Sequence, residues 1–252
     1  MTSDRGAASL KNLFIEDRLK LLLPSWVYFR FKISQESRRS EPELAALHEL
    51  VRPGCTAIDV GANRGLYSYA LSAIAARVEA FEPNPAMVIF TRSKARRRTH
   101  VHDVALSNCE GTAPFYIPKT RTGSYAHLLG NLGNVHLAQD IKKIKVRIAT
   151  LDSFGFDNVG FVKIDVEGCE LEVLEGARRT IARDRPNMIV ELLTRPREAA
   201  LAAIVHVESA YAYTSWIRRD GAWLPAQAVL REPHQTTRTN NVLFTPRDRV
   251  SA

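Results

Sequence analysis

AIDVGANRGLYSYALSAIAARVEAFE, residues 57–82, is the stretch that decides the fold of this chain. A short strand at 57–60 leads into a glycine turn at 61–65, and apolar residues then recur at the spacing of a helix. A second strand follows at 78–81. The stretch therefore predicts a βαβ unit with an acidic residue, Glu82, at the tip of its second strand.

A unit of this kind can hold an adenosine-containing cofactor. Gly61 and Gly65 let the backbone approach a ligand closely, and Glu82 can accept hydrogen bonds from both hydroxyls of a ribose. The spacing is G-x-x-x-G, without the third glycine of the dinucleotide fingerprint. Asp59, just before the first glycine, is placed to meet the ammonium group of S-adenosylmethionine. A βαβ turn without any ligand is the alternative.

The composition indicates one α/β domain with additions at its ends. The chain has 252 residues, of which 45% are hydrophobic, and three scattered cysteines without a C-x-x-C pair. Neither a zinc site nor a disulfide framework is indicated. There is no apolar run of 18 residues and no apolar signal core in the first ten. We therefore expect a cytoplasmic protein.

The net charge of +8 raises the question of an anionic partner. Much of the charge is crowded into residues 92–98, at one predicted helix end, where positive charge is favourable in its own right. A solvated basic face is the favoured interpretation, followed by an acidic partner or an anionic membrane surface. No nucleic-acid partner is expected.

Residues 1–50 read as an N-terminal helical extension, and residues 51–252 as the main domain. The segment from Leu19 to Lys32 mixes apolar, aromatic and basic residues. Packing on the core or over the active site is the favoured interpretation. Peripheral contact with an anionic membrane, at the inner face, is the alternative.

The rest of the chain alternates between strand and helix patterns. A long irregular loop at 118–139 predicts a lid or a binding loop. The remaining elements are predicted from periodicity and from glycine and proline positions: strands at 99–106, 111–117, 144–148, 161–165 and 187–193, one long helix at 168–183, and an antiparallel pair of strands at 211–218 and 241–245.

Four blocks of sequence resemble the FkbM-type methyltransferases, which use S-adenosylmethionine and mostly methylate hydroxyl oxygens. The blocks are DVGANRGLYS (59–68), FEPNP (81–85), TLDSF (150–154) and VKIDVEGCE (162–170). The resemblance covers about residues 53 to 195. It implies an α/β, Rossmann-like, seven-stranded class I methyltransferase sheet with helices on both faces and the cofactor across the carboxyl ends of its strands.

The same resemblance implies roles for individual residues. The methionine part of the cofactor would lie in the turn and the ribose at the second strand tip, with the adenine beside the third strand and the transferred methyl near the fourth. The residues concerned are, in that order, Asp59, Gly61, Asn63 and Gly65; Glu82; Asp103 or the Val104–Ala105 backbone; and Asp165.

Acidic residues at strand tips supply the candidate catalytic groups. Asp165 and Glu167 follow one predicted strand and Glu191 lies on its neighbour, so we expect them at one crevice. Asp165 and Glu167 would point to opposite sides of a continuing strand, so the turn must realign them. We expect a base or positioning role. A divalent metal held by the three carboxylates is the alternative, and His127 in the long loop is a further candidate base.

The motifs favour an S-adenosylmethionine-dependent O-methyltransferase. The expected acceptor is a small molecule or glycan. By resemblance it is a sugar such as fucose or rhamnose on a bacterial glycoconjugate, which includes a lipochitooligosaccharide nodulation signal, or a secondary metabolite. An RNA methyltransferase is an alternative, but it would need an Asn-Pro-Pro-Tyr-type tetrapeptide or a catalytic cysteine motif after the fourth strand of the sheet. Asp165-Val166-Glu167-Gly168 stands there instead. A non-catalytic adenosyl-binding module is the third hypothesis.

Overall fold

The structure, a computed structural model, describes residues 22–118, 141–232 and 237–249. Strands and helices alternate through most of this range. The strands are β1 (Thr56–Val60), β2 (Arg77–Phe81), β3 (Thr99–His102), β4 (Ala105–Leu106), β5 (Gly111–Pro118), β6 (Ile141–Ala149), β7 (Val159–Ile164), β8 (Asn187–Glu191), β9 (Tyr213–Arg219), β10 (Ala222–Pro225) and β11 (Asn241–Pro246). The helices are α1 (Ser25–Arg39), α2 (Leu47–Leu50), α3 (Leu66–Leu71), α4 (Pro85–Lys94), α5 (Glu170–Glu175), α6 (Arg178–Asp184), α7 (Arg197–Tyr211) and α8 (Ala226–Arg231).

A large sheet forms the centre of the molecule, with strand order β10-β9-β11-β8-β7-β1-β2-β3. The five strands from β3 to β8 in that order pair in parallel. β11 is antiparallel to both of its neighbours, and β10 closes the edge as a hairpin with β9. The predicted Rossmann-like α/β fold is confirmed. β10 is an eighth strand that the seven-stranded expectation did not include.

Helices cover both faces of this sheet, as a parallel sheet requires. In β1 every residue is buried, and its side chains alternate between two cores. Ile58 and Val60 pack into the core beneath α5, α6 and α7. Ala57 packs into the opposite core, with α2 and α3.

A second sheet has strand order β4-β6-β5 and shares no strand with the first. The single strand predicted at 99–106 is therefore wrong in part. It stops at His102, and Ala105 and Leu106 pair in parallel with Ile148 and Ala149 instead. The predicted strands around 111–117 and 144–148 are confirmed as the antiparallel hairpin of β5 and β6.

The predicted long helix at 168–183 is two short helices, α5 and α6. The break comes at Gly176. A Cβ at this position would lie 2.0 Å from the carbonyl oxygen of Ser107, in the segment after β4. The helix is interrupted where the chain must pass close to the backbone of the second sheet.

The N-terminal helix α1 packs on the core, which was the favoured interpretation. Tyr28 and Phe29 are buried. The Tyr28 ring lies 5.6 Å from that of Phe90, and the Phe29 ring stacks on Tyr69 at 4.2 Å between centroids. Residues 1–21 lie outside the described residues, and the boundary at residue 50 stays a prediction. Among the described helices, none combines the length and the apolar character needed to cross a membrane.

Candidate active site

The glycine turn after β1 brings two strand tips into contact. Gly61 has φ +78°, and a Cβ on it would lie 1.7 Å from the carbonyl oxygen of Asp165. The need for glycine therefore comes from the chain's own backbone rather than from a ligand. At Gly65, with φ +77°, a Cβ would lie 2.9 Å from the methyl group of Thr91 on α4. The turn is fixed on both sides by packing.

Glu82 occupies the tip of β2, as predicted from the sequence. It is 6% exposed. Its Oε2 accepts a hydrogen bond from the backbone N–H of Asn63 at 2.7 Å, and its Oε1 accepts one from that of Asn84 at 2.8 Å. Burial raises the pKa of Glu82 to about 7, against the opposing effect of the two amide donors. Each oxygen keeps a further lone pair for another donor.

A cavity opens in front of Glu82 along the carboxyl edge of the sheet. Its polar residues are Asn63, Glu82, Asp165, Glu167 and Glu191. The opposite wall is apolar and comes from both sheets: Val60, Phe81, Ala105, Leu106 and Phe115. An apolar slot beside a buried acid suits a flat heteroaromatic ring joined to a ribose.

The structure brings Ala105 into this cavity but not Asp103. The side chain of Asp103 is 72% exposed and pairs with Arg92 at 3.7 Å. The chain turns between β3 and β4, and this turn carries Asp103 out to solvent. Of the two alternatives for the adenine contact, the segment at Val104 and Ala105 is the one that the geometry favours.

Three carboxylates meet at the far end of the cavity. One oxygen from each of Asp165, Glu167 and Glu191 lies within 4.8 Å of the others. β7 ends at Ile164, and Glu167 then adopts a left-handed conformation with φ +55°. This turn supplies the realignment that the alternation of Asp165 and Glu167 required.

The environment of Glu167 and Glu191 favours the protonated forms of these two carboxyl groups. Burial, followed by the charge of Asp165, raises the pKa of Glu191 to about 8. The same two causes raise the pKa of Glu167. The amide nitrogen of Asn240 also donates to Glu191 at 3.3 Å. A carboxyl group that titrates near neutral pH is suited to accept a proton from a substrate.

Lys163 lies behind the carboxylates and is 1% exposed. Its Nζ donates to Oδ1 of Asn241 at 2.9 Å and pairs with Asp165 at 3.4 Å. Burial alone would lower the pKa of Lys163, but the charges of Asp165, Glu41 and Glu191 together raise it. The ammonium group helps to hold Asp165 in position.

A second cavity of about 300 Å³ adjoins the first, between α1 and the tips of β1 and β7. The two cavities share Gly61, Asn63 and Asp165 in their linings. Asp59 also lines the second cavity; it is 2% exposed and accepts a hydrogen bond from Ser68. Burial raises the pKa of Asp59 to about 6. The two cavities form one crevice that extends across the glycine turn.

Glu41 is a site residue that the sequence analysis did not identify. It lines the second cavity, and burial raises its pKa. The available signal was Glu41-Pro42-Glu43, two acids around a proline before an apolar helix. Glu43 is fully buried and contacts the amide of Asn241 at 3.5 Å. Both acids belong to the linker that joins α1 to the main domain.

Two hypotheses from the sequence, a metal site and a base in the long loop, stay predictions. The carboxylate oxygens of Asp165, Glu167 and Glu191 are ligands of the kind that Mg²⁺ or Ca²⁺ prefers, so a metal-binding role stays the alternative to a base. His127 and the loop at 119–140 lie outside the described residues, so the candidate base in that loop stays a prediction.

The family model of the methyltransferase FkbM domain matches residues 59–219, more than half of the chain. The chain belongs to this family. The matched range contains the four sequence blocks of the resemblance and the carboxylates at the tips of β2, β7 and β8. The predicted family is confirmed, and the carboxyl edge of the sheet is the candidate active site of an FkbM-family methyltransferase.

Solved structures agree with the fold. The FkbM methyltransferase from Methylobacillus flagellatus is 18% identical with a TM-score of 0.52, over 96% of this chain and 61% of that one, so the chain spans less than two thirds of that protein. Precorrin 8w decarboxylase from Methanobacterium thermoautotrophicum is 15% identical (TM-score 0.44, 80% and 88% covered). An rRNA methylase from Streptococcus thermophilus is 10% identical (TM-score 0.44, 81% and 92% covered). The last two likenesses are too weak to support any argument. No curated protein matches the sequence.

Proposed function

We propose that this FkbM-family protein transfers a methyl group from S-adenosylmethionine to a hydroxyl group of a sugar. One observation carries the proposal. Asp165 lines both the cavity of Glu82 and the cavity of Asp59, and its carboxylate lies within 4.8 Å of those of Glu167 and Glu191. A cofactor that spanned both cavities would therefore have its centre beside these three carboxylates.

The residues of the crevice fit S-adenosylmethionine. Glu82 has lone pairs left for the two ribose hydroxyls, and Phe81 and Phe115 offer an apolar surface to adenine. Asp59 and Glu41, in the second cavity, supply negative charge for the ammonium group. Lys32 and Arg64 in the same lining supply cationic groups for the carboxylate, and they complete the set: Lys32, Glu41, Asp59, Arg64, Phe81, Glu82 and Phe115.

When bound, S-adenosylmethionine would supply a methyl group on a cationic sulfonium, for in-line attack by an acceptor oxygen with a neutral thioether as the leaving group. The chain's own contribution is to orient the acceptor and to take its proton. Glu191, whose pKa is raised to about 8 by burial and by the neighbouring Asp165, accepts the hydroxyl proton. Asn240 and Lys163 hold the two carboxylates in position through their contacts with Glu191 and Asp165.

A sugar hydroxyl suits this arrangement. It is a weak acid, so removal of its proton benefits from a base with a raised pKa. We propose a deoxyhexose such as fucose or rhamnose on a bacterial glycoconjugate as the acceptor, with the crevice beside Glu191 as its binding place.

The test uses purified full-length protein, methyl-radiolabelled S-adenosylmethionine and acceptor pools separated into glycan and RNA fractions. We expect alkali-stable label, as a methyl ether, in the glycan fraction, and no label with Asp165→Asn. Label confined to RNA would replace the sugar with a ribose or base acceptor. Cofactor binding without transfer to any pool would make the chain a non-catalytic adenosyl-binding module.

A further inference from the structure

Five large apolar side chains are exposed at the start of the described chain, and together we name them the apolar strip. They are Leu22 (80% exposed), Leu23 (44%), Trp26 (65%), Val27 (36%) and Phe31 (68%). In the ranges that the structure describes, the one other large hydrophobic residue with comparable exposure is Val205 on α7. Isolated exposed residues need no explanation, but five within ten positions do.

Three members of the strip lie on one face of α1, and Leu22 and Leu23 precede the helix. At about 100° per residue, Trp26, Val27 and Phe31 span roughly 140° of the helix, and Arg30 lies between them. The core contacts come from the other side, where Tyr28 and Phe29 pack against the rings of Phe90 and Tyr69. The strip is therefore separate from the face that holds the helix to the protein.

Four exposed arginines lie in the last turn of α4 and just after it, and we name them the basic rim: Arg92, Arg96, Arg97 and Arg98. Two contacts hold the rim in place. Lys94, within the same segment, donates to the carbonyl oxygen of Leu23. Arg96 lies over the ring of Tyr69 at 4.3 Å, and Tyr69 stacks on Phe29 of α1. The contact of Lys94 with Leu23 thus joins the segment that carries the arginines to the start of the apolar strip.

We propose that the apolar strip and the basic rim dock on an anionic lipid bilayer. A helix with tryptophan, phenylalanine and aliphatic residues beside arginine lies well in the boundary between headgroups and acyl chains. A basic rim attracts anionic headgroups over about a Debye length. A nucleic acid would satisfy the arginines but has no place for Leu22, Leu23 and Val27. Charge and apolar exposure together favour lipid.

The placement of α1 gives the docking a consequence. The opposite face of the same helix contributes Tyr28, Phe29 and Lys32 to the second cavity of the crevice. A docked helix would hold that cavity within about one helix diameter, roughly 10 Å, of the bilayer. The docking itself does not depend on the proposed methyl transfer.

The test is sedimentation of the full chain with vesicles of phosphatidylcholine alone or mixed with phosphatidylglycerol. We expect binding to the mixed vesicles, little binding to the neutral ones, and loss of binding at high salt. The double variant Trp26→Ser, Phe31→Ser should weaken binding at least tenfold, and so should Arg97→Glu, Arg98→Glu. Val205→Ser, an exposed apolar residue on another helix, is the matched control and should bind as the wild type does.

Because the changed residues are exposed, each variant should keep its fold. Thermal unfolding of each variant checks this. Absence of sedimentation with mixed vesicles would overturn the proposal, as would binding as tight as that of the wild type by both double variants. Acrylamide quenching gives a second readout, from the difference between wild type and Trp26→Phe. If Trp26 is already shielded in the absence of vesicles, another part of the chain covers the strip and the proposal fails. Binding to RNA but not to vesicles would also overturn it.

Discussion

Glu82 is held by two backbone amides before any ligand arrives, so its direction is set by the turn after β1 and the start of α4. We predict that Glu82→Gln weakens S-adenosylmethionine binding about tenfold to a hundredfold. At pH 8, above the Glu82 pKa of about 7, the variant loses a charged acceptor, worth about 1.5–3 kcal/mol, and turns an amide donor toward a backbone N–H. Calorimetry measures the effect, with Glu110→Gln, an exposed glutamate, as control. Wild-type affinity in a folded Glu82→Gln protein would remove Glu82 from the ribose role.

Glu191 gives a kinetic prediction because its pKa is raised to about 8 by burial and by Asp165. A base must be deprotonated, so turnover should rise with pH until about 8 and then level off. Glu191→Gln should lower kcat roughly 10²–10⁴-fold, remove this limb, and leave cofactor affinity nearly unchanged. Initial rates across a pH series measure it. Glu198→Gln, exposed on α7, is the control. An unchanged pH profile in Glu191→Gln would assign the base elsewhere, with His127 next.

The carboxylate group also predicts the response to metal removal. If Asp165 and Glu191 act as a proton acceptor, prolonged dialysis against EDTA should leave kcat within about twofold of its starting value. A metal held by the carboxylate oxygens would be needed for activity and would be restored by Mg²⁺ or Ca²⁺. Loss of activity on dialysis, with recovery on adding the cation, would mean that the carboxylates bind a catalytic metal rather than act as a base.

A comparison of Gly61 with Gly54 distinguishes a steric clash from backbone strain. Gly61 and Gly54 have similar φ values, +78° and +74°, but a Cβ at Gly54 meets nothing within 4 Å, whereas at Gly61 it meets the Asp165 carbonyl. Gly54→Ala should cost about 1–2 kcal/mol of unfolding free energy, from the left-handed conformation alone. Gly61→Ala should cost several kcal/mol more, because β1 and β7 must move apart. Urea denaturation measures both. Equal losses would mean that the strand tips adjust freely.

Helix α1 offers neighbouring aromatic residues in opposite environments. Phe29 is 1% exposed and Phe31 is 68% exposed. Phe29→Ala should lower the free energy of unfolding by about 3–5 kcal/mol, because it leaves a cavity against Tyr69. Phe31→Ala should change it by less than about 0.5 kcal/mol. Urea denaturation without lipid is the measurement. Equal stabilities for the two variants would mean that α1 contributes little to the folded core.

The elements that could be predicted are those whose signal is local. The strand at 57–60, the glycine turn and the helix after it follow from periodicity and from residue type. The split of 99–106 into β3 and β4 could not be read, because it depends on which distant strand Ala105 joins. The break at Gly176 has the same origin, in contact with Ser107. Glycine in a helical pattern is ambiguous until its neighbour is known.

The candidate site divides in the same way. Parallel strands place their tips at one edge, so the prediction that Asp165 and Glu191 converge needed only strand assignment. Glu41 was missed, because it reaches the crevice through the packing of the N-terminal linker and the Glu41-Pro42-Glu43 pattern does not specify that packing. The reason for Gly61 was misjudged as well, because the sequence does not say whether a close neighbour is a ligand or another strand.

Over the whole protein, the buried carboxyl groups with raised pKa values set the pH dependence of stability. Burial places the pKa of Asp59 at about 6, of Glu82 at about 7 and of Glu191 at about 8. The native state therefore holds more protons than the unfolded state from about pH 4 to 8, and stability falls as pH rises through this window. The lowered pKa values of Glu36 and Asp184 act below about pH 4.5 and do not oppose this trend.

We predict a larger free energy of unfolding at pH 5.5 than at pH 8, measured by urea denaturation. In Glu191→Gln the decrease between pH 7 and 8.5 should be smaller, because the titrating group is gone. Glu198→Gln should follow the wild type. A stability that rises between pH 5.5 and 8 would show that other groups outweigh the three buried acids.

The apolar wall of the first cavity is made by two sheets, with Phe81 on the large one and Phe115 on the small one. A molecule bound between them would contact both sheets, and ligand binding slows local opening of the elements that it joins. Amide hydrogens in the middle of the β5–β6 hairpin should then exchange with deuterium more slowly, although they contact no ligand. Their exchange rate reports occupancy directly. Candidate cofactors and inhibitors can thus be screened by mass spectrometry before any acceptor is known.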